Sequence, residues 1–184
     1  MARKIKDMMV KVSNLSSIDS RATLAEAMLA LGKAMENRDE QPLSTVLVVK
    51  DEQGRMVGKL STADMLRIME GVSSPVDVNA SAQLERVGYV IESCTEQMRQ
   101  ASRPWDNLGA LSSQKKVLDI MQKPGKGQVI SQDESPNEAI HRFVSGGYNN
   151  LFVSDSQNNL VGVLNKSSFC SEVVSKLHRA ASAA

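Results

Sequence analysis

Apolar residues in this chain change their period in a fixed order. Leu24, Ala27, Met28, Leu31 and Met35 recur at intervals of three and four, which lines one face of a helix, and Thr23 before them is a residue type that caps a helix start. The run Thr45 to Val49 is apolar and β-branched, Asp51-Glu52-Gln53-Gly54 has turn chemistry, and Met56 to Leu60 reads as the returning strand. Ser61 then opens a second helix containing Met65, Leu66, Ile68 and Met69, with Gly71 as its expected stop. The same succession comes again. A helix starts at Pro136 and stops at Gly146-Gly147, a strand covers Asn150 to Val153, and a turn spans Asp155 to Asn159. A strand from Leu160 to Leu164 and a helix from about Lys166 to Leu177 complete it.

The recurrence holds residue by residue. Leu47/Leu151, Val49/Val153, Asp51/Asp155, Gln53/Gln157, Val57/Val161, Gly58/Gly162 and Leu60/Leu164 all stand 104 apart, 151 minus 47 in the first pair. Upstream the offset is 112: Lys4 to Met9 matches Lys116 to Met121, and Thr23-Leu24-Ala25-Glu26-Ala27 matches Ser135-Pro136-Asn137-Glu138-Ala139. The first copy therefore holds eight more residues between helix and strand, 112 minus 104, around Glu36 to Pro42. A duplication of this length predicts two lobes with function in the cleft between them. The expected division is residues 1–71, an insert over 72–114, and residues 115–184.

The insert belongs to neither copy. At its centre Leu84, Val87, Ile91, Cys94 and Met98 form a short heptad seam, which suits a helix packed on its own repeats or one that pairs with a second chain. Trp105, the single tryptophan, stands where the chain re-enters the second copy, as an anchor or as a partner contact.

Composition narrows the function. The 184 residues are 41% hydrophobic and 23% charged with a net charge of +1, ordinary for a globular protein and without the basic excess of a nucleic-acid binder. No apolar run approaches the roughly 18 residues that span a bilayer, and no signal peptide opens the sequence. With only Cys94 and Cys170, neither a disulfide framework nor a zinc site is expected, and the chain reads as cytoplasmic. Ten methionines beside 3% aromatics point to adaptable cores. His141 and His178 lack partners at metal-ligand spacing.

The repeat unit resembles the cystathionine β-synthase (CBS) domain, and the whole chain resembles a tandem CBS pair, or Bateman module. The likeness rests on the lead-ins Asp7-Met8-Met9 and Asp119-Ile120-Met121, on Thr-Leu-x-Glu-Ala and its variant Ser-Pro-x-Glu-Ala, and on strand–turn–strand units ending Val-Gly-x-Leu. It implies an α/β fold of two β-α-β-β-α repeats packed with pseudo-twofold symmetry, plus the helical insert. It also implies a homodimer, an adenosyl small molecule as ligand and a partner protein, with no nucleic acid, membrane or required cofactor.

The resemblance places an adenosine site after the second sheet strand, at Gly-x-x-Thr/Ser-x-x-Asp. The first copy matches with Gly58, Ser61 and Asp64. A carboxylate at a helix start can accept ribose hydroxyls, exposed amides there favour an anion, and glycine admits a ligand close to the backbone. Adenine would lie against Ser17 and Ile18. Read without the family, Ser61 and Asp64 also form a capping box, which stabilises a helix and binds nothing. The second copy departs from the pattern: Asn165 replaces the hydroxyl and Ser168 the acid, leaving a weaker site with Val129, Ile130, Tyr148 and Asn149. Neither copy offers Arg or His before the strand, where the family often contacts phosphate. AMP, ADP or S-adenosylmethionine therefore fits better than ATP, unless Lys59, Lys166 or Arg67 reaches in.

No nucleophile with its base, phosphate loop or metal constellation is recognisable, so no catalysis is expected. The expectation is a stand-alone regulatory module that senses an adenosine-containing ligand. The alternative is a ligand-free interaction or dimerisation scaffold.

Overall fold

The computed structural model describes residues 3–36, 43, 45–69, 106 and 108–182. The seam from Leu84 to Met98, Gly71 and Trp105 lie outside these described residues. In chain order the elements are β1 (Val10–Lys11), β2 (Ser17–Asp19), α1 (Leu24–Glu36), β3 (Val46–Lys50), β4 (Met56–Ser61) and α2 (Thr62–Met69). They continue with α3 (Leu108–Gln114), α4 (Val117–Ile120), β5 (Val129–Ser131), α5 (Pro136–Gly146), β6 (Asn150–Ser154), β7 (Leu160–Asn165) and α6 (Lys166–Ala181). Both copies are present as expected, with the final helix four residues longer than its apolar pattern predicts, since Leu177 and the residues after it keep helical hydrogen bonding on an exposed face.

The caps explain where the helices start. At α1 the Thr23 hydroxyl accepts from the Glu26 amide (3.2 Å), and the Glu26 carboxylate accepts from the Thr23 amide (2.7 Å). The α5 helix has proline in its first turn and stops at Gly147, whose φ of 61° is left-handed. The two hairpin turns are built alike. Asp51 Oδ1 accepts from the amides of Gln53 and Arg55, and Asp155 Oδ1 from those of Gln157 and Asn159. Gly54 and its counterpart Asn158 take the left-handed positions, at φ 75° and 63°.

The strands form two sheets, one ordered β2-β3-β4 and the other β1-β7-β6-β5. In each, the lead-in strand runs parallel to the first hairpin strand, and the hairpin itself is antiparallel. The second sheet contains β1, from the N-terminal lead-in, paired Val10 to Val163. The first sheet receives the matching rung from the other lead-in, where Lys59 bridges Gln122. The lead-ins therefore cross. Ile5 is fully buried among Ile130, Phe143, Leu151, Leu164 and Phe169 of the second repeat, and Val117 among Leu24, Leu31, Leu47, Leu60 and Met65 of the first. Their backbones are clamped by equivalent bonds: Ile5 and Lys6 donate to Glu134 and Gln132, and Val117 and Leu118 donate to Ala22 and Ser20. A third cluster, with Val48 and Met56 from one sheet and Phe152 and Val163 from the other, seals the sheets face to face about the pseudo-twofold axis.

Candidate functional site

In each repeat three parts come together and define the candidate cleft: the edge strand from the lead-in, the start of the first hairpin strand, and the strand-to-helix junction after the second. In the first repeat, Val48 donates its amide to the Ser16 carbonyl, and Ser20 donates its amide to the Lys50 carbonyl (both 2.9 Å). Bonding in a parallel ladder alternates, so the amide and carbonyl of Ser17 turn to the open edge of the sheet. The Ser17 side chain is exposed, while Ile18 packs inward against the first core.

The junction after β4 is a completed capping box. Asp64 Oδ2 accepts from the Ser61 amide (2.9 Å) and from the Ser61 hydroxyl (2.6 Å), and the Ser61 hydroxyl accepts from the Asp64 amide (3.3 Å). Arg67 Nη1 donates to the other carboxylate oxygen at 3.1 Å. Asp64 is 8% exposed, yet among the described residues Oδ1 carries a single partner and so retains acceptor capacity. The cap and the capacity to accept from a ligand are therefore compatible in one side chain.

The space above Gly58 is filled. A Cβ there would lie 2.8 Å from Met121 Sδ and 2.9 Å from the Gln122 carbonyl oxygen, and one on Gly162 would lie 2.7 Å from both Met9 Sδ and the Val10 carbonyl oxygen. The methionine of each lead-in motif thus seats on the glycine of the other repeat's Val-Gly-x-Leu motif. Close approach is needed at Gly58, and the group that approaches is the crossing lead-in.

The second cleft is lined differently. Asn165 caps α6 by accepting from the Ser168 amide at 3.1 Å, and its Nδ2 donates to Asn150 Oδ1 at 2.8 Å. Asn149 is exposed, and its carbonyl accepts from the Lys166 amide (2.9 Å). Tyr148 packs against the second core, over Gly146 and Gly127. Ile130 is fully buried in that core. The outward carbonyl of Val129, counterpart of Ser17, accepts from Arg142 Nη1, and Arg142 is held in turn by Glu138 at 2.8 Å. The first repeat has Ala30 where the second has Arg142, 112 residues on, so no side chain at that position of the first repeat bonds the Ser17 carbonyl.

Sequence reasoning named Lys59 only as a side chain to reach a phosphate and missed that it is a buried cation. Lys59 is 3% exposed, its Nζ bonded to Gln122 Oε1 and 5.5 Å from the centroid of the Phe152 ring. Gln128 Nε2 joins this group by donating to Gln122 Oε1 and to the Asn150 carbonyl, both at 3.2 Å. Burial pushes the ammonium down to about 8; Asp64 opposes that shift and Arg67 adds to it. The signal was available, since 59 plus 104 gives Val163, an apolar residue at the matching position.

Among the described residues no group of three His, Cys, Asp or Glu could hold a metal ion, and no helix is long and apolar enough to cross a membrane. The CBS domain model matches residues 5–71 and 115–175. No curated protein matches. Among solved structures the chain is similar to CBSX2 in complex with AMP, at 18% identity and TM-score 0.58, covering 95% of this chain and 98% of that one. It is similar to CbpB in complex with c-di-AMP, at 14% identity and TM-score 0.57, covering 99% and 91%. The CBS domain of the bacterial CNNM/CorC family Mg2+ transporter in complex with ATP matches at 12% identity and TM-score 0.57, covering 93% and 87%. At these identities the likeness is one of fold.

Proposed function

The chain belongs to the CBS domain family, and we propose that it is a non-catalytic regulatory module that senses an adenosine-containing ligand in the cleft of its first repeat. Occupancy of that cleft would shift the packing of the repeats and so alter contact with a partner protein, to the extent that the ligand binds one packing more tightly. The observation that carries this reading is the difference between the clefts. The first leaves the Ser17 backbone turned to an open edge and has Asp64 at the helix start; the second has Arg142 on the matching carbonyl and Ser168 in place of the acid. Related structures hold AMP, c-di-AMP and ATP, which supports the adenosyl class of ligand.

Calorimetry and thermal shift with AMP, ADP, ATP and S-adenosylmethionine test the proposal. One adenosyl compound is expected to bind at a single site and to bind more weakly to Asp64→Asn. Absence of binding by all four would overturn the reading, as would binding that the substitution leaves unchanged.

A ligand-free scaffold that pairs with a second copy is the second reading. It is favoured by the engagement of both Asp64 oxygens within the protein and by apolar side chains exposed on the helices, among them Leu29, Leu66, Val144 and Leu177. The binding screen separates the two, because a scaffold binds none of the four compounds, and sizing chromatography checks the pairing itself.

A further inference from the structure

Among the described residues Lys59 is a buried ammonium without a carboxylate in ion-pair contact: the ion pairs of the first repeat are Asp19–Arg21, Glu52–Arg21, Asp51–Arg55 and Asp64–Arg67. Buried charges are ordinarily paired, because removal from water costs several kcal/mol per ion. The fold itself does not require a lysine here. Lys59 and Gln122 form one rung of the seam between repeats, and the pseudo-twofold mate of that rung is Val163 with Val10, two valines making the same closure. Both rungs sit against the partner sheet, Lys59 over Phe152 and Val163 in the cluster with Val48.

We propose that Lys59 is a charge-gated latch set into the seam between the two repeats: its ammonium weakens their docking, and loss of that charge tightens it. The groups around it decide the response. From its own repeat Asp64 and Arg67 act on it with opposite signs. From the second half Gln122 and Phe152 meet it, with Gln128 joined through Gln122 and Asn150 through Gln128, and none of these titrates. The Gln122 side chain accepts from both Lys59 and Gln128, so the charge on Lys59 is felt along a chain of bonds that ends on the Asn150 carbonyl.

The sign follows from proton linkage. The amine titrates at about 8 in the folded protein, against 10.5 for the unfolded chain. Below 8 both states carry the proton and the buried charge exerts its full cost. Between 8 and 10.5 the unfolded chain holds more protons, so this group makes stability rise with pH. The latch stands independently of any nucleotide.

The test compares wild type with Lys59→Met by urea denaturation from pH 7 to pH 10, alongside an NMR titration of the lysine Nζ resonances in the wild type. The variant is expected to be the more stable at pH 7, with its advantage shrinking steadily toward pH 10, and one Nζ resonance is expected to titrate near 8. A pH-independent difference between the proteins, or Nζ resonances that all titrate at the ordinary lysine value, overturns the proposal. Should Lys59→Met fail to fold, the wild-type titration decides alone.

Discussion

Ile5 in the second core and Val117 in the first do one task at two places, and so do Met9 on Gly162 and Met121 on Gly58. Lys59 and Gln122, by contrast, stand where the other half has Val163 and Val10, and Arg142 stands where the other half has Ala30. The parts that close the two cores have stayed interchangeable, because packing admits few solutions at a given volume. The parts that differ lie in two settings: Arg142 is partly exposed at the second cleft, where packing constrains little, and Lys59 with Gln122 lies inside the seam, where a lysine 3% exposed stands in for a valine.

That contrast can be broken most severely at the lead-ins. Ile5→Ala should cost about 2–5 kcal/mol and Val117→Ala somewhat less. Hydrogen exchange should show the loss in the repeat that receives the side chain: Ile5→Ala unprotects β6 and β7, far along the sequence from the substitution. Protection lost equally in both halves would show the cores to be less separate than their clusters suggest.

The clefts come next. Asp64→Asn should weaken the adenosyl ligand about ten- to hundredfold, the range of a hydrogen bond to a charged group, and calorimetry reads it directly. Ser168→Asp combined with Arg142→Ala should give the second cleft a binding isotherm of its own; if it does not, the difference between the clefts lies elsewhere than in these two positions.

The hairpin turns offer a milder comparison. Gly54→Ala places a side chain at φ 75° and should cost about 1 kcal/mol, whereas Asn158→Gly, at φ 63°, should change stability by no more than about 0.5 kcal/mol. Thermal denaturation of the two variants side by side checks this. The smallest effect is expected from Arg142→Ala alone, which frees the Val129 carbonyl without supplying an acid. A change of roughly threefold or less in any second-cleft affinity is anticipated, about the worth of one hydrogen bond.

Much of the fold was legible because it is local. Period, β-branched runs and the types Thr23, Asn165 and Gly147 set the helices and strands, and the capping box at Ser61 and Asp64 formed as its spacing implied. The crossing of the lead-ins was not legible, since Met9 and Gly162 belong to motifs at opposite ends of the sequence and no local pattern joins them. Lys59 was hidden for a different reason. A lysine in a strand reads as solvent-facing on composition, and only comparison with Val163 marks its position as interior. Arg142 lies within an ordinary helical pattern, where its bond to Val129 depends on a side chain folding back over a strand thirteen residues earlier.

The crossed lead-ins also set an order of events during synthesis. A first repeat that has just emerged lacks Val117, and the second cannot fill its core without Ile5, which was made more than a hundred residues before Leu164. Neither half can reach its final packing while the other is missing. The chain must therefore close as a loop, with its first strand waiting as an unpaired ribbon until its last strand arrives.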